Sequence, residues 1–195
     1  MGAIFQSLGR TLTAGVVLLV IIIIVVSTAV GGAMKFDHAW WAFFMRWLHV
    51  LSGVMWIGLL WYFNFVQIPN MPKIPDEQKP AVSKVIAPRA LFWFRWGAMS
   101  TIVTGLLLAW MNGYIGQALS FKPPVTAIGI GMWLGIIMWF NVWFIIWPNQ
   151  KKVIGITPAN DDEKKVAART ASLTSRVNTM LSIPMLYCMA SIHVY

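Results

Sequence analysis

Five apolar stretches constrain this chain more than any other feature of its sequence. Each is about as long as the 20 residues that an α-helix needs to cross the hydrocarbon core of a bilayer. The first contains the unbroken run GVVLLVIIIIVV at positions 15–26. We therefore predict an all-α integral membrane protein with five transmembrane helices. The stretches span residues 14–34, 39–67, 90–112, 125–147 and 177–195.

The composition also favours a membrane. Hydrophobic residues make up 58% of the 195 residues and charged residues only 11%, whereas about a quarter of the residues are charged in ordinary soluble domains. The net charge of +9 would suggest nucleic acid in a soluble protein. Here the basic residues lie in connections between spans, where they set membrane topology, so we expect a lipid bilayer as partner and no nucleic acid. The chain has one cysteine, Cys188, and no CxxCH motif, which excludes a covalently attached c-type haem.

The predicted spans divide into an anchor and a bundle. Residues 1–38 hold the first span, which has no ionisable residue between Thr11 and Met34. We expect this helix, 14–34, to face lipid or other membrane subunits. Residues 39–195 form the predicted four-helix membrane bundle. Five prolines in the connection 68–89 predict an extended loop. The connection 113–124 is short, and 148–176 contains NDDEKKVAARTASLTSR, which reads as an amphipathic helix that opens with acidic residues and runs into the fifth span.

The distribution of Lys and Arg predicts the orientation. Eleven of these residues lie before the first span, in 68–89 and in 148–176, whereas the opposite connections hold only Lys35 and Lys122. Basic residues favour the cytoplasmic side of a membrane. We therefore expect a multi-pass protein of the bacterial inner (cytoplasmic) membrane, with a cytoplasmic N-terminus and a periplasmic C-terminus.

Two histidines lie in the periplasmic half of the predicted bundle. His49 lies about 15 Å along the second span at 1.5 Å per residue, and His193 lies near the end of the antiparallel fifth span. Such a pair could ligate the iron of one haem b from both faces, with Met189 as an alternative axial ligand. The other interpretation is a His49 that hydrogen-bonds a neighbouring helix and an interfacial His193. His38, in the outer loop, is expected to be solvated.

Three residues share the helical face of His49 at 100° per residue. Arg46 lies one turn nearer the periplasm and could bind a haem propionate. Gly53 lies one turn deeper and would leave room for a planar ring, and Trp56 follows on the same face.

A second polar set lies at the cytoplasmic end of the predicted bundle. Its members could form interhelical hydrogen bonds and snorkel to the interface, or they could line a pocket for an anionic or polar planar molecule. The set consists of Asn64, Arg95, Asn141, Arg176 and Asn178.

Two motifs carry a family resemblance. The segments RWLHVLSGVMWIGLLWYFNFVQIP and RVNTMLSIPMLYCMASIHVY resemble the urate oxidase N-terminal family, the membrane domain of bacterial urate hydroxylases that end in a c-type cytochrome. The resemblance covers most of 39–195. It implies that His49 and His193 are the family's histidine positions and that Arg176, Asn178 and Pro184 match its closing motif. We expect this protein to lack the cytochrome c domain of its longer relatives and urate oxidation to need a separate c-type cytochrome.

Three functions remain open at this point. The leading hypothesis is a membrane haem b protein that transfers electrons near the periplasmic face, with a c-type cytochrome or as part of a larger respiratory or photosynthetic complex. One alternative is a non-catalytic accessory subunit of a membrane complex. The other is a membrane urate or purine oxidase that uses a separate cytochrome c. We expect an electron-transfer or accessory subunit rather than a complete oxidase.

Overall fold

The computed structural model describes residues 2–29 and 35–191, and the regular elements in these ranges are all helical. The chain divides into two units, 1–41 and 42–195, which are described separately below. The α-helices are α1 (Gly2–Phe5), α2 (Leu8–Ala29), α3 (His38–Trp61), α4 (Ile68–Asn70), α5 (Ala87–Met111), α6 (Ile115–Leu119), α7 (Thr126–Phe140), α8 (Trp147–Val153) and α9 (Asp161–Ala190).

The N-terminal unit contains the apolar helix α2. No side chain within Leu8–Ala29 is buried by the described part of the chain. The helix satisfies its few polar groups internally, since Thr13 Oγ1 donates to the carbonyl of Gly9 and Thr28 Oγ1 to that of Ile24. The predicted first span therefore begins earlier than expected, at Leu8, and its predicted end at 30–34 lies outside the described residues.

Three of the predicted spans form long continuous helical segments. They run over His38–Lys73, Ala81–Met111 and Thr126–Val153, and with α2 they are the four described helices that are long and apolar enough to cross a membrane. His38 is exposed, as predicted, but it begins α3 instead of lying in a loop. Asp37 caps this helix, accepting a hydrogen bond from the backbone N–H of Trp40 at 3.0 Å.

The fifth predicted span forms the second half of α9. This helix has 30 residues and begins with a capping box, in which the side chains of Asn160 and Glu163 each accept from the other residue's backbone N–H. The amphipathic segment does run directly into the span, as the sequence predicts. The amphipathic helix begins at Asp161, with the acidic residues in its first turn as predicted, while residues 147–153 form α8 and extend the preceding span. Four of the five predicted spans are thus supported.

The predicted extended loop at 68–89 is wrong. Helical structure continues to Lys73 and resumes at Ala81, so that only 74–80 connect the two segments. Most of the prolines in this region occupy the first turn of a helical piece, where the missing N–H has no intrahelical partner to lose. Pro69, Pro72 and Pro88 all lie at such positions.

A π-helical segment precedes three of the prolines at the same spacing. The segments Tyr62–Gln67, Ala81–Ile86 and Asn141–Ile146 each begin seven residues before a proline and end two residues before it. In each case the residue before the proline donates its N–H to the carbonyl five residues back. A proline ring clashes with the carbonyl four residues back in an α-helix, and a wider π-turn relieves that crowding.

Interhelical hydrogen bonds dock α9 onto the rest of the second unit. Asn141 Nδ2 donates to Asn178 Oδ1 at 2.8 Å, and Asn178 Nδ2 donates to the carbonyl of Met138 at 2.9 Å. Asn178 is fully buried. Trp61 Nε1 also donates to Ser182 Oγ at 3.0 Å. In an apolar solvent such bonds substitute for the hydrophobic attraction that helices lack there.

Substitution of Asn178 tests this docking. Asn178→Leu leaves the Asn141 side-chain amide without its partner and removes one of the two hydrogen bonds that the Met138 carbonyl accepts, so we expect it to lower the free energy of unfolding by about 1–3 kcal/mol. The double variant with Asn141→Leu should lose less than the sum of the two single changes, because it removes both polar partners. Thermal unfolding in detergent measures both effects. Strictly additive losses would contradict the pairing.

Candidate functional site

Two cavities lie inside the second unit, near opposite ends of its long helices. The one that we call the histidine cavity has a volume of about 40 Å³, and the one that we call the amide cavity has about 350 Å³. Residues from the three long helical segments and from α9 line both. His49 in the first cavity and Gln67 in the second are about 27 Å apart along their helix at 1.5 Å per residue.

Hydrogen bonding fixes the ring of His49 in the histidine cavity. Its Nδ1 lies 2.9 Å from the carbonyl oxygen of Thr101 and 3.3 Å from Thr104 Oγ1. Because a carbonyl oxygen only accepts, Nδ1 carries the proton, and Nε2 of the neutral ring has a free lone pair. A backbone carbonyl on one ring nitrogen is the arrangement that orients histidines for metal binding through the other.

Gly105 allows this ring position. A Cβ at this glycine would lie 2.7 Å from His49 Cε1 and 3.0 Å from Nδ1, closer than real side-chain contacts. The α5 backbone therefore approaches the imidazole face directly, and any larger residue would displace the ring.

The other residues that were predicted to bind haem lie in different environments. Trp56 and Met189 line the histidine cavity together with His49. Gly53 is half-buried, a Cβ there would meet nothing within 4 Å, and Gly53 is not among the residues that line the histidine cavity. His193 lies outside the described residues.

Arg46 is exposed and is not among the cavity-lining residues. Its charge acts on Tyr114, in the connection between α5 and α6. Burial raises the pKa of Tyr114, and the positive charge of Arg46 offsets part of that rise.

The histidine cavity matches a haem in ligand chemistry but not in size. His49 Nε2 and the Met189 thioether are both axial ligand types. Pockets for ligands much smaller than a macrocycle already measure about 300–1,000 Å³, whereas the cavity of about 40 Å³ holds a water molecule or a single ion. A haem does not fit between the described helices as they are packed.

The amide cavity combines apolar walls with unpaired polar atoms. Gln67 and Gln150 line it, and the Oε1 atom of each is buried without a hydrogen-bond partner among the described residues. The aromatic rings of Phe63 and Phe94 form part of the wall, 5.7 Å apart and nearly perpendicular. Three hydroxyl side chains complete the polar lining, namely Ser83, Ser172 and Ser175.

The predicted cytoplasmic set contributes mainly to helix packing. Asn141 and Asn178 bond to each other, as described above. Asn64 Nδ2 donates to Ser175 Oγ at 2.8 Å, while its Oδ1 is buried and unpartnered. The Arg95 guanidinium lies 3.3 Å from the ring centroid of Trp147, a cation–π contact.

Arg176, the fifth member of that set, is exposed. None of the five residues lines the amide cavity directly, although Ser175, the partner of Asn64, does. Ser83 and Gln150, which do line it, were missed because they fall in segments that the sequence assigns to connections. The sequence signal that could have found them is the repeated spacing before Pro88 and Pro148, where the two helical segments continue past the proline.

The second unit is thus a bundle of apolar helices, of the kind found in membrane proteins, with one cavity near each end. Residues 116–195 match the model of the urate oxidase N-terminal family, and this range includes the second of the two sequence motifs. The match includes α7, α8 and α9 and therefore parts of both cavities. No curated protein and no solved structure matches the chain.

The role of Gly105 can be tested with matched glycine variants. Gly105→Ala should push the imidazole of His49 away from Thr101 and lower the free energy of unfolding by about 1–3 kcal/mol, as overpacking does. Gly53→Ala, on the opposite helix of the contact, meets open space and should be neutral or stabilising by up to about 1 kcal/mol. Thermal unfolding of the two variants in detergent should separate them. Equal free energies of unfolding for the two variants would show that the His49 ring is not held against α5.

Proposed function

We propose that the protein spans the bacterial inner membrane with the amide cavity at the cytoplasmic end. Four apolar helices of sufficient length support membrane insertion. The excess of Lys and Arg in 68–89 and 148–176 supports the orientation, because these segments flank the amide cavity in the second unit.

Labelling in intact cells tests this orientation. Glu77 and Lys122 are exposed residues in connections on opposite sides of the proposed topology. In a Cys188→Ser background, Lys122→Cys should react with a membrane-impermeant maleimide added to intact cells, whereas Glu77→Cys should react only after lysis. The reverse pattern would invert the topology.

We propose further that the amide cavity binds a planar heterocycle of the purine class. The observation that carries this proposal is that two glutamines, Gln67 and Gln150, line one cavity and that the side-chain oxygen of each has no hydrogen-bond partner among the described residues. A primary amide offers an acceptor and donors side by side, which is why glutamine pairs with the edges of purine bases. Phe63 and Phe94 supply apolar surface for the ring faces.

Size and charge are compatible with such a ligand. The volume of about 350 Å³ falls in the range of small-molecule sites. The described lining residues include no ionisable side chain, so hydrogen bonds would hold the ligand inside. Lys84, Lys151 and Lys152 lie on the segments that form this end of the bundle, and their field would attract an anionic purine such as urate.

The family match connects this site to urate oxidation. If the bound purine is oxidised, its electrons need an acceptor, and the family resemblance implies a c-type cytochrome for that role. We infer a membrane subunit that binds the purine and works with a separate cytochrome.

Conservative removal of the two amides tests the purine site. Gln67→Leu and Gln150→Leu keep the side-chain size but delete the hydrogen bonds, so each should weaken urate binding about 5- to 150-fold. Gln117→Leu, at an exposed position on α6, is the matched control and should bind like the unchanged protein. Equilibrium dialysis of the full chain in detergent against labelled urate gives the affinities.

Two outcomes would decide against this function. Binding that is unaffected by both substitutions would move the ligand out of the amide cavity. Absence of urate and xanthine binding, together with no urate-dependent reduction of added cytochrome c, would favour the accessory subunit, for which the wholly unburied helix α2 offers a surface.

A further inference from the structure

The histidine cavity carries a second inference, which does not depend on the purine proposal. We propose that it binds one Cu(I) ion through Nε2 of His49 and the thioethers of Met132, Met185 and Met189. All four side chains line this single cavity of about 40 Å³, a volume suited to an ion. Among the described residues there is no cluster of three or more His, Cys, Asp or Glu, so a metal here must rely on sulfur from methionine.

The unpaired nitrogen of His49 provides the first argument. With its Nδ1 proton donated to the Thr101 carbonyl, the ring presents a bare lone pair at Nε2, for which the described residues show no hydrogen bond. An unsatisfied acceptor in an apolar cavity is costly. A bound cation would give the Nε2 lone pair a partner. The carbonyl of Thr101 already holds the ring in the required tautomer.

The methionines come from two helices that line the same cavity as His49. Met132 lies on α7, while Met185 and Met189 lie one turn apart on α9 and so share a helical face. Met132 and Met185 are buried. Met189 packs closely over Gly131, where a Cβ would lie 3.2 Å from the methionine Cε. This close packing restricts the rotation of the Met189 side chain.

The donor set selects among metals. Thioethers are soft ligands that prefer Cu(I), and imidazole accepts copper as well. The cavity lining includes no carboxylate, so it lacks the oxygen ligands that Mg²⁺, Ca²⁺ and Mn²⁺ require. One nitrogen and three sulfurs would give a four-coordinate site for Cu(I).

Methionine also serves as simple core filler, so the test must separate ligation from packing. Leucine conserves the volume of methionine and usually costs little stability. The paired substitutions Met185→Leu and Met189→Leu therefore remove two ligands while keeping the packing. Met180→Leu, on the exposed side of the same helix, is the matched control.

The experiment titrates the full chain in detergent with Cu(I) under anaerobic reducing conditions, against the chromophoric chelator bicinchoninate. We expect one Cu(I) per chain, at least a tenfold loss of affinity in the paired Met185/Met189 variant, and no change with Met180→Leu. X-ray absorption should show sulfur and nitrogen neighbours of copper. Should the paired variant not fold, Met132→Leu alone provides the same comparison.

Three results would overturn the copper site. The first is equal Cu(I) affinity in the unchanged chain and in the variants that lack thioethers. The second is a copper spectrum without sulfur neighbours. The third is stoichiometric haem in the purified protein by pyridine haemochrome, which would mean that the helices part to admit a macrocycle on His49. Gln67→Leu should leave Cu(I) binding unchanged, so this test is independent of the purine site.

Discussion

The docking of α9 is the interaction on which both cavities depend. This helix begins with a charged turn and has the weakest apolar character of the long helices. Its position is determined by the bonds of Asn178 to Asn141 and to the Met138 carbonyl. On one side of Asn178 the helix contributes Ser172 and Ser175 to the amide cavity, and on the other side Met185 and Met189 to the histidine cavity. The amide pair therefore joins α9 to the helical segment Thr126–Val153, and both contribute to the lining of each cavity.

Periodicity in the sequence predicted much of the histidine cavity. His49, Trp56 and Met189 were placed on inward helical faces from spacing alone, and the structure puts all three in one lining. The size of that cavity could not be predicted, because it depends on how side chains from four helices interdigitate. The donor types support a haem, the described helices as packed leave a volume of about 40 Å³, and haem binding stays a prediction.

The amide cavity was harder to foresee for a different reason. Prolines in 68–89 were taken as breaks, although proline in the first turn of a helix loses no hydrogen bond. The π-helical segments before Pro69, Pro88 and Pro148 let the helices continue past these prolines. This continuation brings Ser83 and Gln150 into the bundle. Most of the polar residues predicted at this end contribute to helix packing instead, because buried amides that lie close together form hydrogen bonds with each other.

A packed layer separates the two cavities. Leu60, Phe94, Met138 and Val142 are almost completely buried there, so a ligand in one cavity does not touch a ligand in the other. Along α9, Ser175 and Met185 are about 15 Å apart at 1.5 Å per residue. Because α9 walls both cavities, any coupling between them must pass through a shift of this one helix. The buried Asn178 lies between these two residues, and such a shift would strain its hydrogen bonds to Asn141 and to the Met138 carbonyl.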